Sequence, residues 1–463
     1  MQFNLRTLFL SVTLLAMLLA AVVGLRELKH RQAVYHAFLG HTYFQDQQGE
    51  NLEPYGSWMP LAPSSVYGFE TRMYGRRDAS IDRLSEFPNL GRIWIAFGLS
   101  KGTLDPRFAD TLKKLPRLKS LVILECNSLP EVLPSLKGNQ ALEILDLGMN
   151  SDPLAWRSRG PFRPVSDESL AALATLTGLR ELDLGCWPID DRLLETIAKL
   201  PNLELLHLDD AQIQDRHLPI IARCGKLKQL DLAHNEISDR GIEALAACTT
   251  LERLSLVRNP ISDHSLRILA RLPALKVLHV DSVPLTDAGL IHFAGNPTLE
   301  ELSLRLTAIT DEGLQAVARL PKLRSLAIGR NAIKDRGIEA LVACQWLETL
   351  SLTETQISDL ALQSIAKLAN LKSLDISNTR ISDRGIAHLA GSSLVELNFD
   401  ATDTTMACAP SLQTMRSLQR VHVYQNRSTG LIHQELREGF SPIDSQAANP
   451  FVRLSPSRRA ELE

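Results

Sequence analysis

The chain has 463 residues, with 50 Lys and Arg against 53 Asp and Glu and a formal net charge of −3. That balance excludes a basic field of the kind that holds nucleic acid by its phosphates. Six cysteines over this length exclude a disulfide scaffold and leave the redox compartment open.

From Thr7 to Leu25 the sequence carries no charge and is rich in Leu, Ala and Val, between Arg6 and the group Arg26, Lys29 and Arg31. As a helix this run spans about 28 Å, enough for the hydrocarbon core of a bilayer. Residues 1–31 are therefore expected to form an N-terminal membrane anchor with one transmembrane helix. A cleaved signal peptide is the rival reading, but the small-residue points near Ala21 and Gly24 run straight into Arg26 and Lys29. The Lys and Arg that follow the span favour a cytoplasmic repeat region by the positive-inside rule, although so few charges leave the side open. Residues 32–89 follow as juxtamembrane linker and cap. Within them Gln45 to Ser65, rich in Gln, Gly and Pro, reads as linker, and Tyr67 to Leu90 is placed to cover the first core face.

From residue 90 to 426 one unit recurs. Nine aspartates stand 24 residues apart, Asp191, Asp215, Asp239, Asp263, Asp287, Asp311, Asp335, Asp359 and Asp383. A single compact site has no use for the same acid at so regular a period, so the column reports stacking of a small unit. The unit that opens at Leu227 continues Leu230, Leu232, Asn235, Ile237, Asp239, Gly241, Ile242, Leu245, Ala246 and Cys248. Leu230 and Leu232 alternate with Gln229, Asp231 and Ala233, the period of a short strand with one buried face. Asn235, or a threonine such as Thr307, Thr355 or Thr379, can satisfy backbone groups where the chain leaves the sheet. Ser238 and Asp239 then supply oxygens expected to cap a helix, and Ile242, Leu245 and Ala246 follow at i, i+3, i+4. About thirteen or fourteen such units fit between Leu90 and Asn426.

This pattern, L-x-x-L-x-L-x-x-[NT]-x-I-[ST]-D-x-G-[LI]-x-x-[LI]-A, resembles the leucine-rich repeat in the version with a helical second half. The resemblance extends to bacterial membrane-anchored members. It implies an α/β, right-handed solenoid with a parallel β-sheet on the concave face and helices on the convex face, here with an N-terminal transmembrane helix. The family's shared use is recognition of another macromolecule through the concave face, so a protein partner is expected, with no catalysis and no cofactor. The Ile-Ser-Asp pattern also resembles repeats in substrate adaptors of ubiquitin ligases, but nothing before Leu90 looks like the helical module those need.

Candidate site residues come from the positions the unit does not fix. The fifth position forms a row that begins Asp146, Asp183, His207, Asp231, with Asp209 and Asp210 just after His207. The row can be read as an acidic patch for a basic partner surface. The alternative is an enzyme or cation-dependent module at Asp183, His207 and Asp231, where carboxylates and an imidazole could converge on a ligand. A solvated sheet face with favourable cross-strand pairs is the plain reading of the same residues. The spacer from Asn150 to Val165 is about thirteen residues longer than its counterparts and carries Trp156, Arg157, Arg159 and Phe162. Aromatic residues and arginine dominate binding hot spots, so these four join the candidate partner-binding set. Arg192, Arg216, Arg240, Arg336 and Arg384 read as exposed first-turn residues worth little each. Cys224, Cys248 and Cys344 share one slot and read as small buried hydrophobes. No nucleophile motif, glycine-rich phosphate loop or metal-spaced Cys and His cluster stands in the chain, and no small-molecule substrate is evident. Residues 427–463 lose the period and are expected to form a mobile tail. The whole reads as a single-pass protein of the cell membrane.

Overall fold

A computed structural model describes residues 106–124, 129–148 and 164–423, the strands Thr42–Gln45, Asn51–Leu52, Gly68–Met73 and Arg92–Phe97, and positions 84, 87 and 89–91. The anchor Thr7 to Leu25, the spacer residues Trp156, Arg157, Arg159 and Phe162, and the tail 427–463 lie outside the described residues. What is described falls into two compact units, one within Met1–Leu184 with Leu200–Asn202, the other within Gly185–Lys199 and Leu203–Glu463.

The first unit holds five parallel strands in register, Gly68–Met73, Arg92–Phe97, Ser120–Leu124, Ile144–Asp146 and Glu181–Asp183. Helices Pro106–Leu112, Leu129–Ser135 and Asp167–Leu173 alternate with the later strands. The parallel array thus starts at Gly68, one strand before the expected frame at Leu90. Ahead of it Thr42–Gln45 pairs antiparallel with both Asn51–Leu52 and Gly68–Met73. Strand therefore stands inside the stretch read as linker, and it covers the edge that the array would otherwise present.

The second unit is a solenoid of ten parallel strands, Leu205–His207, Gln229–Asp231, Arg253–Ser255, Val277–His279, Glu301–Ser303, Ser325–Ala327, Thr349–Ser351, Ser373–Asp375, Glu396–Asn398 and Arg420–His422. Each pairs with the next, so that Leu230, Leu254 and Leu278 stand side by side. Helices such as Asp239–Leu245, Asp263–Leu269 and Asp311–Val317 alternate with them. Sequence periodicity drives this directly: Leu230, Leu232, Ile237, Ile242 and Leu245 are all at most 2% exposed. Each such side chain contributes about 1.5–3 kcal/mol by leaving water. Cys224, Cys248 and Cys344 are buried in their common slot, and desolvation pushes their thiols up to about 11.

Three side-chain and backbone ladders carry the stacking. Asn235 bridges two repeats: its Oδ1 accepts from Ala211 N at 3.1 Å and Ile213 N at 2.8 Å. Its Nδ2 donates to Leu208 O, Leu232 O and Ala233 O at 2.8, 3.0 and 3.0 Å. Asn259 and Asn331 repeat most of this pattern. The second ladder is backbone. Ten successive turn residues, Cys186, Asp210, His234, Arg258, Ser282, Leu306, Arg330, Glu354, Asn378 and Ala401, hold φ between 51° and 64°. This left-handed geometry aims their amides at the next repeat, as in His234 N to Val257 O at 2.7 Å and Arg258 N to Asp281 O at 2.9 Å.

The aspartate column forms the third ladder, and here the capping expectation is corrected. Ser238 is the cap of helix Asp239–Leu245, its hydroxyl accepting from Arg240 N. Asp239 instead reaches forward to the following repeat, accepting from Ser262 N at 2.8 Å, Ser262 Oγ at 2.6 Å and Ser265 Oγ at 2.5 Å. The same clamp joins Asp215 to Ser238, Asp263 to Thr286, Asp287 to Thr310, Asp335 to Ser358, Asp359 to Ser382 and Asp383 to Thr405. It also explains the glycine that follows two positions after many of these aspartates. A Cβ at Gly241 would stand 2.6 Å from Asp215 Oδ1.

The clamp makes stability depend on pH. Burial pushes the Asp239 carboxyl up, but the hydrogen bonds from Ser262 and Ser265 outweigh it and hold the group below its ordinary value of 3.8. Because the folded value is the lower one, the contribution is present above the unfolded pKa and is lost as pH falls through the folded one. Asp239→Ala should cost about 1.5–3 kcal/mol near pH 7, the range for hydrogen bonds to a charged group, and less at acid pH. Urea unfolding at the two pH values checks this; an equal loss at both would mean that the charge is not what matters.

Candidate recognition face

In each repeat the strand residue between the two buried leucines faces away from the core. In the second unit that row is His207, Asp231, Ser255, His279, Ser303, Ala327, Ser351, Asp375, Asn398 and His422, in register from strand to strand. Beside it, two positions on, runs Asp209, Ala233, Val257, Asp281, Arg305, Gly329, Thr353, Ser377 and Asp400. These positions sit where the strand ends and the left-handed turn begins, which holds their backbone rigidly.

The expected acidic patch is divided between the units. Asp146 and Asp183 are register partners in the first, and His207 and Asp231 are register partners in the second. Asp146 is only 6% exposed and its Oδ1 accepts from Gly148 N at 3.0 Å, so it offers little surface to a partner. A Cβ at Gly148 would stand 2.5 Å from Asp183 Oδ1, which is why this position is bare. Asp231 Oδ1 accepts from Ala233 N at 2.9 Å. Asp375 and Asn398 bond likewise to the amide two positions on. Part of each of these row side chains thus serves the turn that follows it. Asp209 adds its carbonyl to the ladder of turns, accepting from Cys186 N at 2.7 Å. Among the described residues no group of three or more His, Cys, Asp or Glu is arranged to hold a metal ion.

Further along the face lie residues that the sequence reading did not select. His279 Nε2 is 2.8 Å from Glu301 Oε1. Arg305 lays its guanidinium across the face to Ser351 Oγ at 3.3 Å, past Ala327 and Gly329, while its backbone N donates to Asp281 at 2.7 Å. On the last strand His422 Nε2 stands 3.2 Å from Glu396 Oε1. The hydrogen bond from His422, with Arg420 beside it, outweighs burial and draws the Glu396 carboxyl down to about 2. The same bond raises His422. In sequence the two members of each such pair stand on different repeats, so the signal for these contacts is visible only once register is known.

Along the entry edge of the strands the residue after each repeat's first leucine alternates in sign. The order in the second unit is Glu204, Lys228, Glu252, Lys276, Glu300, Arg324, Glu348, Lys372. Neighbours pair across repeats, as in Lys228 to Glu204, Lys276 to Glu252 and Lys372 to Glu348, each at 2.7 Å. In the first unit Lys119 and Glu143 pair in the same way at 3.3 Å.

Family models match over three stretches: residues 166–286 match the leucine-rich repeats of an FBD-associated F-box protein, and residues 295–318 and 321–381 match leucine-rich repeat models. Together with the repeating strand, turn and helix, this makes the chain a member of the leucine-rich repeat proteins. Among solved structures it is similar to an internalin from Listeria monocytogenes at 22% identity and TM-score 0.44, covering 79% of this chain and 90% of that one. Internalin C2 from the same organism shows 25% identity and TM-score 0.36 over 46% of this chain and 84% of its own. The LRR ectodomain of the Arabidopsis thaliana membrane receptor kinase GASSHO1/SCHENGEN3 shows 17% identity and TM-score 0.38, over 78% of this chain and 47% of its own. No curated protein matches the chain.

Proposed function

We propose that this leucine-rich repeat protein is a membrane-anchored recognition protein that binds a partner protein through the exposed face of its strands. One observation carries the reading. Positions that build the core and the clamps repeat from unit to unit, whereas the outward strand positions between them vary in size and charge along the row. The fold uses one oxygen of Asp231, Asp375 and Asn398 for the turn that follows, but no single residue type is imposed along the row, which leaves its identities to match a partner. A protein is favoured over nucleic acid because the chain has no excess of basic residues. Catalysis has no support in the geometry described above.

Asp183 in the first unit and the acidic start of the row in the second, with His207, Asp209 and Asp231, each suit a basic surface, and the spacer with Trp156, Arg157, Arg159 and Phe162 would supply desolvated contact. Membrane attachment, and with it a place in the cell membrane, rests on the uncharged run Thr7 to Leu25. Among the described residues no helix is long and apolar enough to cross a bilayer, and that run lies outside them.

Two measurements test the proposal. Fractionation should leave the full chain in the membrane pellet through carbonate and high-salt washes; a mature N-terminus sequenced near Val22 or Leu25 would replace the anchor with secretion. Cross-linking of the full chain in its membrane identifies the partner. Against it, Asp183→Lys with Asp231→Lys should slow association by about tenfold at low salt and flatten its salt dependence. Trp156→Ala should mainly raise the dissociation rate. Normal binding by both variants, with loss at Arg305, Arg330 or His422, would move the interface to the later strands.

A further inference from the structure

On the helical side of the second unit a groove of about 290 Å³ runs between helices Asp239–Leu245 and Asp263–Leu269. Its floor is apolar, formed with Ile268 and Leu272, and its walls carry Glu243 on one helix and His264, Arg267 and Arg271 on and just after the other. Steps of three residues from His264 to Arg267 and four from Arg267 to Arg271 bring the three basic side chains to one side.

Elsewhere on this side an arginine finds a carboxylate on the repeat before it, as Arg223 does with Glu195 at 2.6 Å and Arg336 with Glu312 at 3.4 Å. Arg271 stands to Glu243 in sequence as Arg223 does to Glu195, and Arg267 stands to Glu243 as Arg336 does to Glu312. Glu243 is therefore the partner due to both. One carboxylate cannot neutralise two guanidiniums, and neither arginine is ion-paired among the described residues. Arg267 rests instead against the His264 imidazole at 3.4 Å. One repeat further, the slot of Arg267 is held by Ile291, 66% exposed, and not by an acid, and Glu243 is the one carboxylate that lines the groove. The groove therefore keeps an excess of positive charge over an apolar floor.

We propose that this groove binds a phosphate monoester group. Two guanidiniums offer paired N–H donors that match phosphate oxygens two at a time, and the imidazole adds a third donor or an acceptor for the acid proton. The apolar floor excludes water from one side, which strengthens each of those bonds. The volume fits one such group and the atoms next to it, whether it is borne by a phosphorylated side chain of a partner or by a small phosphorylated metabolite. This site is independent of the strand-face reading, and its ligand can be tested without any protein partner.

Calorimetric titration of the full chain with phenyl phosphate, inorganic phosphate, a short phosphoserine peptide free of basic residues, and glutarate provides the test. The phosphate-bearing probes should bind, and glutarate should bind at least about tenfold more weakly. Each of Arg267→Gln and Arg271→Gln should weaken the phosphate probes by about tenfold, with melting unchanged. Glu243→Gln removes the one competing carboxylate and should tighten binding several-fold, an effect that a purely structural role for these residues would not produce. A phosphopeptide at least about tenfold tighter than phenyl phosphate identifies the side-chain source; equal affinity identifies the metabolite source. Absence of binding at millimolar probe, affinity unaltered in the arginine variants, or glutarate bound as tightly as phosphate would each overturn the proposal.

Discussion

Replacing Asn235 with Ala should destabilise the second unit by about 2–4 kcal/mol, measured by urea unfolding, on the scale expected when buried backbone groups lose their partners. The side chain is 7% exposed and serves five backbone groups, two amides and three carbonyls. Alanine leaves Ala211 N and Ile213 N buried without an acceptor. Each orphaned group costs about 1–3 kcal/mol, and the emptied volume admits at best a water in compensation. Asn235→Thr should lose less. Thr355 and Thr379 hold the same slot elsewhere, and each donates to the carbonyl three positions back, at 2.7 and 2.6 Å. Because each repeat touches only its neighbours, faster amide exchange should appear first at Ala211 and Ile213 and fade along the stack. Equal loss in the Ala and Thr variants would show that packing, not the amide ladder, fixes this position.

Gly241→Val should cost a similar amount for a different reason. A Cβ there would stand 2.6 Å from Asp215 Oδ1, 3.1 Å from Asp215 Cα and 3.2 Å from Ile237 Cγ2. The carboxylate has nowhere to go, since it already holds Ser238 N at 2.7 Å and Ser238 Oγ at 2.6 Å. Overpacking of this kind costs about 1–3 kcal/mol, and the broken clamp adds to it, against a gain of only about 0.5 kcal/mol in helix propensity. Gly241→Ser should be far milder. Ser265 occupies the equivalent place in the next repeat and turns the close approach into a hydrogen bond. Adding Asp215→Ala to Gly241→Val should recover part of the loss, a non-additivity readable in the melting of the double variant. A valine variant as stable as the parent would mean that the clamp yields easily.

The repeat, its strand and its helix were legible because burial imposes a period, and Leu230, Leu232, Ile242 and Leu245 carry it openly. The role of Asp239 was not. A carboxylate beside a serine at a helix start has an adequate local use, and nothing within one unit shows that the oxygens point to Ser262 in the next. The ten left-handed turns were equally hidden. Asp210, His234 and Asn378 are types that tolerate this conformation, but Cys186, Leu306 and Ala401 avoid it by about 1–2 kcal/mol. Cross-repeat amide bonds such as Leu306 N to Gly329 O at 3.0 Å offset that cost, and no local signal announces them. On the recognition face the sequence located the row but not its chemistry. Asp231 and Asp146 belong to the expected acidic patch, yet Asp231 gives an oxygen to a nearby amide, as Asp375 does further along, and Asp146 is almost covered. Before the first sure repeat, Gln45 to Ser65 has the composition of a linker, and the pairing of Thr42–Gln45 with Gly68–Met73 depends on long-range contact that composition does not encode.

The alternating charges along the strand entry give the stack a parity. Removing one repeat from the middle would set a lysine beside a lysine or a glutamate beside a glutamate, whereas removing two adjacent repeats restores the alternation. Each like-charge step costs under about 1 kcal/mol at an exposed cross-strand position, so an odd change is tolerated once but not freely. Length variation in an array of this kind is therefore easiest in steps of two repeats. A change of two also shifts the outward row by two strands, moving its acidic end toward the Arg305 region while each remaining repeat keeps its pattern of buried positions.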